Sequence, residues 1–148
     1  MIAGMKNRSV PSDGVVPHIL YQDPVGACAW LSRVFGFREN FRYGDPVSGV
    51  QVLFGQVCVM LHLAKDGTLS PAQLGYGTQS LTLIVDDVDA HYAKTVAAGA
   101  TIVEELHETI YGELQYGAED LDGHHWLFSR HARDMAPEDW GGTSAVLI

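Results

Sequence analysis

The sequence predicts an α+β protein made of two consecutive βαβββ modules. Three observations carry this expectation. Apolar, β-branched runs of strand length alternate with polar turns. Two amphipathic stretches each open at an aspartate and stop at a glycine. The openings Asp23 and Asp87 lie 64 residues apart and the stops Gly36 and Gly99 lie 63 apart, so one order of signals occurs twice.

Val15 to Gln22 is the first strand candidate, ended by Asp23-Pro24. Asp23 suits an N-cap, Pro24 the first helical position, and Ala27, Trp30, Leu31, Val34 and Phe35 recur at helical intervals up to Gly36. Strands are predicted at Phe37 to Tyr43, Val50 to Phe54 and Val57 to Leu63, the last two joined by Gly55-Gln56, a pair suited to a type II′ hairpin turn. Gly67, Pro71, Gly75 and Gly77 mark 64–77 as a connector. The second module opens with a strand at Gln79 to Val85. Its helix is capped by Asp86-Asp87 and carries Val88, Tyr92 and Val96 on one face as far as Gly99. Thr101 to Leu106 follows as a strand, then Leu114 to Glu119 and His124 to Ser129 as a hairpin across Asp120-Leu121-Asp122-Gly123. The expected organisation is a flexible arm at 1–13, one domain at 14–130 with modules 14–63 and 78–130 joined by linker 64–77, and a tail at 131–148. In that tail Ala136 to Trp140 makes one helical turn.

Composition narrows the function. Nine Lys and Arg against eighteen Asp and Glu give a formal charge of -9, which opposes a phosphate backbone, so nucleic acid is not an expected partner. No apolar run has the length of a membrane span, and Lys6 and Arg8 are followed by no apolar signal core, so a cytoplasmic protein is expected. Cys28 and Cys58 lack the spacing of a zinc knuckle and read as free, buried thiols. No Gly-x-Ser-x-Gly elbow and no phosphate-binding glycine loop between strand and helix appears, which removes hydrolase and nucleotide-binding readings.

Val16-Pro17-His18-Ile19-Leu20-Tyr21-Gln22-Asp23 with Ala29-Trp30-Leu31 and Phe35-Gly36-Phe37 resembles the opening module of vicinal oxygen chelate proteins, the glyoxalase/bleomycin-resistance/extradiol-dioxygenase superfamily. Ser80-Leu81-Thr82-Leu83-Ile84-Val85-Asp86-Asp87-Val88-Asp89-Ala90 resembles its second module. Tyr116-Gly117, Glu119-Asp120 and Asp122-Gly123-His124-His125-Trp126-Leu127-Phe128 resemble its close. The resemblance covers roughly residues 14–130. It implies a cupped mixed sheet, a small-molecule ligand and a homodimer that covers the sheet's apolar face.

The resemblance also implies where a divalent metal would be held: one side chain from the first and one from the last strand of each module. Those positions fall on Val16, Ser80 and Leu127, and on Val59 or Leu61 of the fourth strand. Valine and leucine offer no lone pair and serine is a poor ligand, so no metal cofactor is expected. The expected function is glyoxalase/bleomycin-resistance-like binding of a small molecule in the sheet cavity, with His18, Ser80, Thr82, His125, Trp126 and Leu127 as ligand contacts. The alternative is a metal-dependent lyase or dioxygenase that holds a divalent ion through relocated ligands, His18, His125 and Glu113. By strand alternation His18 shares the face of Val16 and His125 that of Leu127, whereas His62 and His124 should face away. Glu113 and Glu119 are candidate catalytic carboxylates, since a carboxylate in a half-apolar cup can serve as a general base. The same alternation sets Glu113, Gln115, Gly117 and Glu119 on one face and Tyr116 on the other. Phe41, Tyr43, Phe54, Tyr111 and Trp126, near strand ends or loops, are candidate aromatic walls for a flat ligand.

Overall fold

The structure is a computed structural model that describes residues 4–12 and 14–146. Parts of the expected arm (residues 1–3 and 13) and of the expected tail (147–148) lie outside the described residues. The chain forms two compact units, Met1–Ser70 and Pro71–Ile148, which divide inside the expected connector.

The first unit runs β1 (His18–Tyr21), α1 (Pro24–Phe35), β2 (Arg38–Tyr43), β3 (Gly49–Phe54) and β4 (Val57–Leu63). Its sheet has the order β1-β4-β3-β2, with β1 parallel to β4 and the other pairs antiparallel. Helix α1 starts where the sequence predicts: the Asp23 carboxylate accepts from the Gly26 amide at 3.1 Å, and Gly36, at φ 91°, closes the last turn. Its apolar stripe packs on Ile19, Tyr21, Val50, Val52, Val59 and Leu61, all buried. Each such fully buried side chain stabilises the fold by roughly 1.5–3 kcal/mol. Gly55 takes φ 58° in the predicted two-residue turn.

The second unit opens with a one-turn helix, α2 (Pro71–Leu74), in a stretch expected to be featureless. It forms there because Pro71 starts a turn, the Gly75 amide closes it on the Pro71 carbonyl, and the Ala72 amide bonds the Asp122 carbonyl at 2.9 Å. Then come β5 (Ser80–Ile84), α3 (Val88–Ala97), β6 (Thr101–Glu108), β7 (Glu113–Glu119), β8 (His125–His131) and a 3-10 turn at Pro137–Trp140. The order β5-β8-β7-β6, with β5 parallel to β8, repeats that of the first unit, so the duplication is real at the level of topology.

Helix α3 is capped by Asp87, which accepts from the Ala90 amide at 3.0 Å. Its buried face differs from the prediction. Val88 and Thr95 are buried, whereas Val96 is exposed. Thr95 takes the inner position because its hydroxyl bonds the Tyr116 hydroxyl at 2.8 Å. Burial pushes the Tyr116 phenol up to about 12, so it stays protonated under the helix. No helix among the described residues is long and apolar enough to cross a membrane.

Candidate functional site

In each unit a helix covers one face of the sheet, and strand alternation assigns the other face to a different set of side chains. In the first unit that open face carries His18 on β1, Gln51 and Leu53 on β3, and Cys58, Met60 and His62 on β4. The parallel register pairs His18 with Met60 and Leu20 with His62. His62 therefore lies beside His18, contrary to the expectation that it faces away. The reason is parity: Val59 and Leu61, taken as the fourth-strand chelating candidates, are fully buried on the helix side, and the open-face residues are their neighbours.

His18, His62 and Tyr43 form a hydrogen-bonded chain. His18 Nδ1 lies 2.7 Å from His62 Nε2, the two rings parallel and edge to edge with centroids 4.9 Å apart, and His62 Nδ1 lies 2.9 Å from the Tyr43 hydroxyl. Desolvation, and after it the neighbouring His18, holds the His62 imidazole below its ordinary range, favouring the neutral ring. Between neutral rings the chain runs in either direction, and in both it presents a donor at one end and an acceptor at the other. Gly49 makes this possible, because a Cβ there would sit 2.2 Å from the Tyr43 ring that lies across it.

Deeper on the same face, Gln51 is buried and accepts from Asn40 Nδ2 at 2.7 Å. Its own amide donates to the Ser9 carbonyl at 3.0 Å and to the Met60 sulfur at 3.4 Å. The amino-terminal arm, expected to be free, is thus tied to the sheet at Ser9, where a buried amide needs an acceptor. A cavity of about 310 Å³ lies between arm and sheet, reaching Asn40, Leu53 and Cys58. Burial pushes the Cys58 thiol up, which keeps it protonated at neutral pH.

The open face of the second unit carries Ser80 and Thr82 on β5, His125 and Leu127 on β8, and Glu113, Gln115, Gly117 and Glu119 on β7. Ser80 pairs with His125, Thr82 with Leu127, and Glu119 with His125. Six of the expected site residues, Ser80, Thr82, His125, Leu127, Glu113 and Glu119, therefore share one face, although not one spot. Glu113 pairs with His131, six positions along the strand from His125, about 20 Å at the rise of a β-strand. Glu113 and His125 cannot ligate one ion, which corrects the relocated set of His18, His125 and Glu113. Glu113 instead accepts from the Ser129 hydroxyl at 3.1 Å and pairs with His131 Nδ1 at 2.7 Å, on the wall of a cavity of about 530 Å³ that Tyr111 and Met135 also line. Gln115 donates to Glu104 at 2.8 Å.

Trp126, expected as a ligand contact, is fully buried on the helix side. Its indole N–H donates to Asp120 at 3.0 Å, and Asp120 also accepts from the Asp122 and His124 amides, which fixes the turn and the ring together. Adjacent strand residues point to opposite faces, so Trp126 and Leu127 cannot serve the same surface. Among the candidate aromatic walls, Tyr43 lies on an open face, Tyr111 lines the larger cavity, and Phe54 packs against Phe37.

Residues 15–128 match the family model described as Glyoxalase/Bleomycin resistance protein/Dioxygenase superfamily. The chain belongs to that superfamily. TioX from Micromonospora sp. ML1 is 36% identical, with a TM-score of 0.68 over 81% of this chain and 99% of that one. A superfamily enzyme from Burkholderia phytofirmans PsJN, 20% identical with a TM-score of 0.60 over 78% of this chain and 96% of its own, shares the fold. An uncharacterised Mycobacterium tuberculosis H37Rv protein is 26% identical over 129 residues, 80% of this chain and 75% of the relative.

The positions expected to chelate offer few donors. Val16 and Leu127 bring hydrocarbon and Ser80 one hydroxyl, while the open face of β4 presents Cys58, Met60 and His62. Among the described residues no three His, Cys, Asp or Glu side chains gather in a way that could hold a metal ion. Alternation alone was enough to group the second-unit residues. His62 and Gln51 were missed because their faces follow from the pairing of β4 with β1 and β3, which the local pattern does not specify.

Proposed function

We propose that this protein binds a small molecule on the open faces of its sheets, without a divalent ion at the superfamily's chelating positions. The observation that carries this reading is the chemistry of those positions. Val16, Ser80 and Leu127 supply at most one weak donor, and His62 has both ring nitrogens in hydrogen bonds. The same faces offer what an organic ligand needs: apolar Met60 and Leu127, the Tyr43–His62–His18 chain, and cavities of about 310 and 530 Å³, within the range of small-molecule sites.

A homodimer in the cytoplasm completes the reading. A second copy would cover Ile84, which is 57% exposed on the open face of β5, and two free cysteines suit a reducing compartment. Native mass spectrometry of the freshly purified protein tests the binding: a discrete added mass that denaturation releases as an organic compound is expected. A bare chain mass, together with no thermal shift from any compound of a chemically broad panel, contradicts it.

A second reading, catalysis with Glu113 as general base, is favoured by its placement on a cavity wall between Ser129 and His131. Turnover lost in Glu113→Gln with ligand retention unchanged would establish it; unchanged turnover would remove it.

A further inference from the structure

The cavity beneath the amino-terminal arm has a charge opposite to that of the chain. The protein carries a formal -9, yet Lys6 and Arg8 line this cavity, and no Asp or Glu stands among its described lining residues. Asn40, Gln51 and Gln56 add side-chain amides, and Leu53 and Cys58 form an apolar floor.

The arm is held by a specific contact. The duplication makes this visible, because Gln51 and Gln115 occupy the same strand position in the two sheets, 64 residues apart. Each bonds the residue eleven positions before it, Asn40 or Glu104. In the second unit Glu104 accepts from the glutamine amide. In the first unit Asn40 donates to the glutamine carbonyl instead, which leaves the Gln51 amide to seek another acceptor, and the Ser9 carbonyl supplies it. The exchange of an acceptor for a donor at one edge position thus fixes the arm, and with it Lys6 and Arg8, over the open face.

We infer that the arm forms the roof of a site for a small organic anion, its carboxylate or similar acidic group meeting Lys6 and Arg8 while its apolar body lies on Leu53 and Cys58. This deepens the small-molecule reading and rests on it. In a cavity of about 310 Å³ a flat bicyclic acid is a suitable occupant. Two cations beside a partly shielded acid select it over a neutral isostere, since charge-assisted hydrogen bonds are roughly twice as strong as neutral ones.

The test uses 2-naphthoate and its neutral analogue 2-naphthamide, followed by the side-chain amide resonances of Asn40, Gln51 and Gln56. Both compounds should shift these resonances, with naphthoate binding about tenfold more tightly, a difference two such contacts readily supply. The doubly substituted Lys6→Ala, Arg8→Ala protein changes only exposed side chains; in it the naphthoate-to-naphthamide affinity ratio should fall from about tenfold to near one. A preference for naphthoate in that protein as large as the parent's overturns the inference. So does an absence of shifts at these amides with either compound; if native mass spectrometry still finds a retained ligand, small-molecule binding stands and this site alone fails.

Discussion

His18 Nδ1 and His62 Nε2 meet at 2.7 Å across two parallel strands whose residues are 44 positions apart in sequence. With Tyr43 on the other nitrogen, His62 is the centre of a polar chain on the open face of the first sheet. Its chemistry therefore governs how that face responds to pH.

The His62 imidazole is held below its ordinary value near 6.5 by desolvation and by His18. Once pH falls below that value the unfolded chain binds more protons at this site than the folded one. Stability from this residue is thus complete above it and declines as pH falls through it. The urea midpoint should drop as pH falls below about 6.5, where the unfolded chain's imidazole takes up its proton first. His62→Gln, which keeps a polar side chain without titrating, should show a flatter decline over the same span. An equal slope in that variant contradicts the assignment.

Leu61 and Met60 are neighbours on β4 with opposite fates, one under α1 and one on the open face. Leu61→Ala should cost about 2–5 kcal/mol in urea unfolding, as for other emptied core positions. Met60→Leu, close in volume, should cost less than about 1.5 kcal/mol. The reverse order would place the faces of β4 the other way round.

Asp120 joins the β7–β8 turn to Trp126. Asp120→Ala leaves a buried indole N–H and two turn amides without this acceptor, at a cost of about 1–3 kcal/mol or more. Trp126 fluorescence should report a lower unfolding midpoint for this variant. A midpoint equal to that of the parent would show that the turn holds without the carboxylate.

Sedimentation velocity at micromolar concentration should give a species of twice the 16.1 kDa chain mass. Ile84→Lys, which places a charge on the exposed apolar position of β5, should shift the population towards the monomer. A parent protein that sediments as a single chain contradicts the dimer.

Much of this architecture was legible because it is local. The Asp23 and Asp87 caps, the Gly36 stop and the turn at Gly123 act within a few residues, and the 64-residue repeat makes each reading support its counterpart. Parity along β7 was legible for the same reason. Trp126 was legible too, and misassigned: the alternation that sets His125 and Leu127 on the open face sends Trp126 to the other, where its indole N–H bonds Asp120. His62 and the Ser9–Gln51 contact depend on pairings 44 and 42 residues apart, which alternation within one strand does not encode. Val96 gave way to Thr95 because the partner hydroxyl of Tyr116 lies on a distant strand.

The most direct test of the metal-free reading is the metal content of protein purified without chelator, measured by inductively coupled plasma mass spectrometry. Content far below one divalent ion per chain, with ligand binding unchanged after dialysis against chelator, is the expected result. Near-stoichiometric metal that disappears in His18→Ala would contradict it.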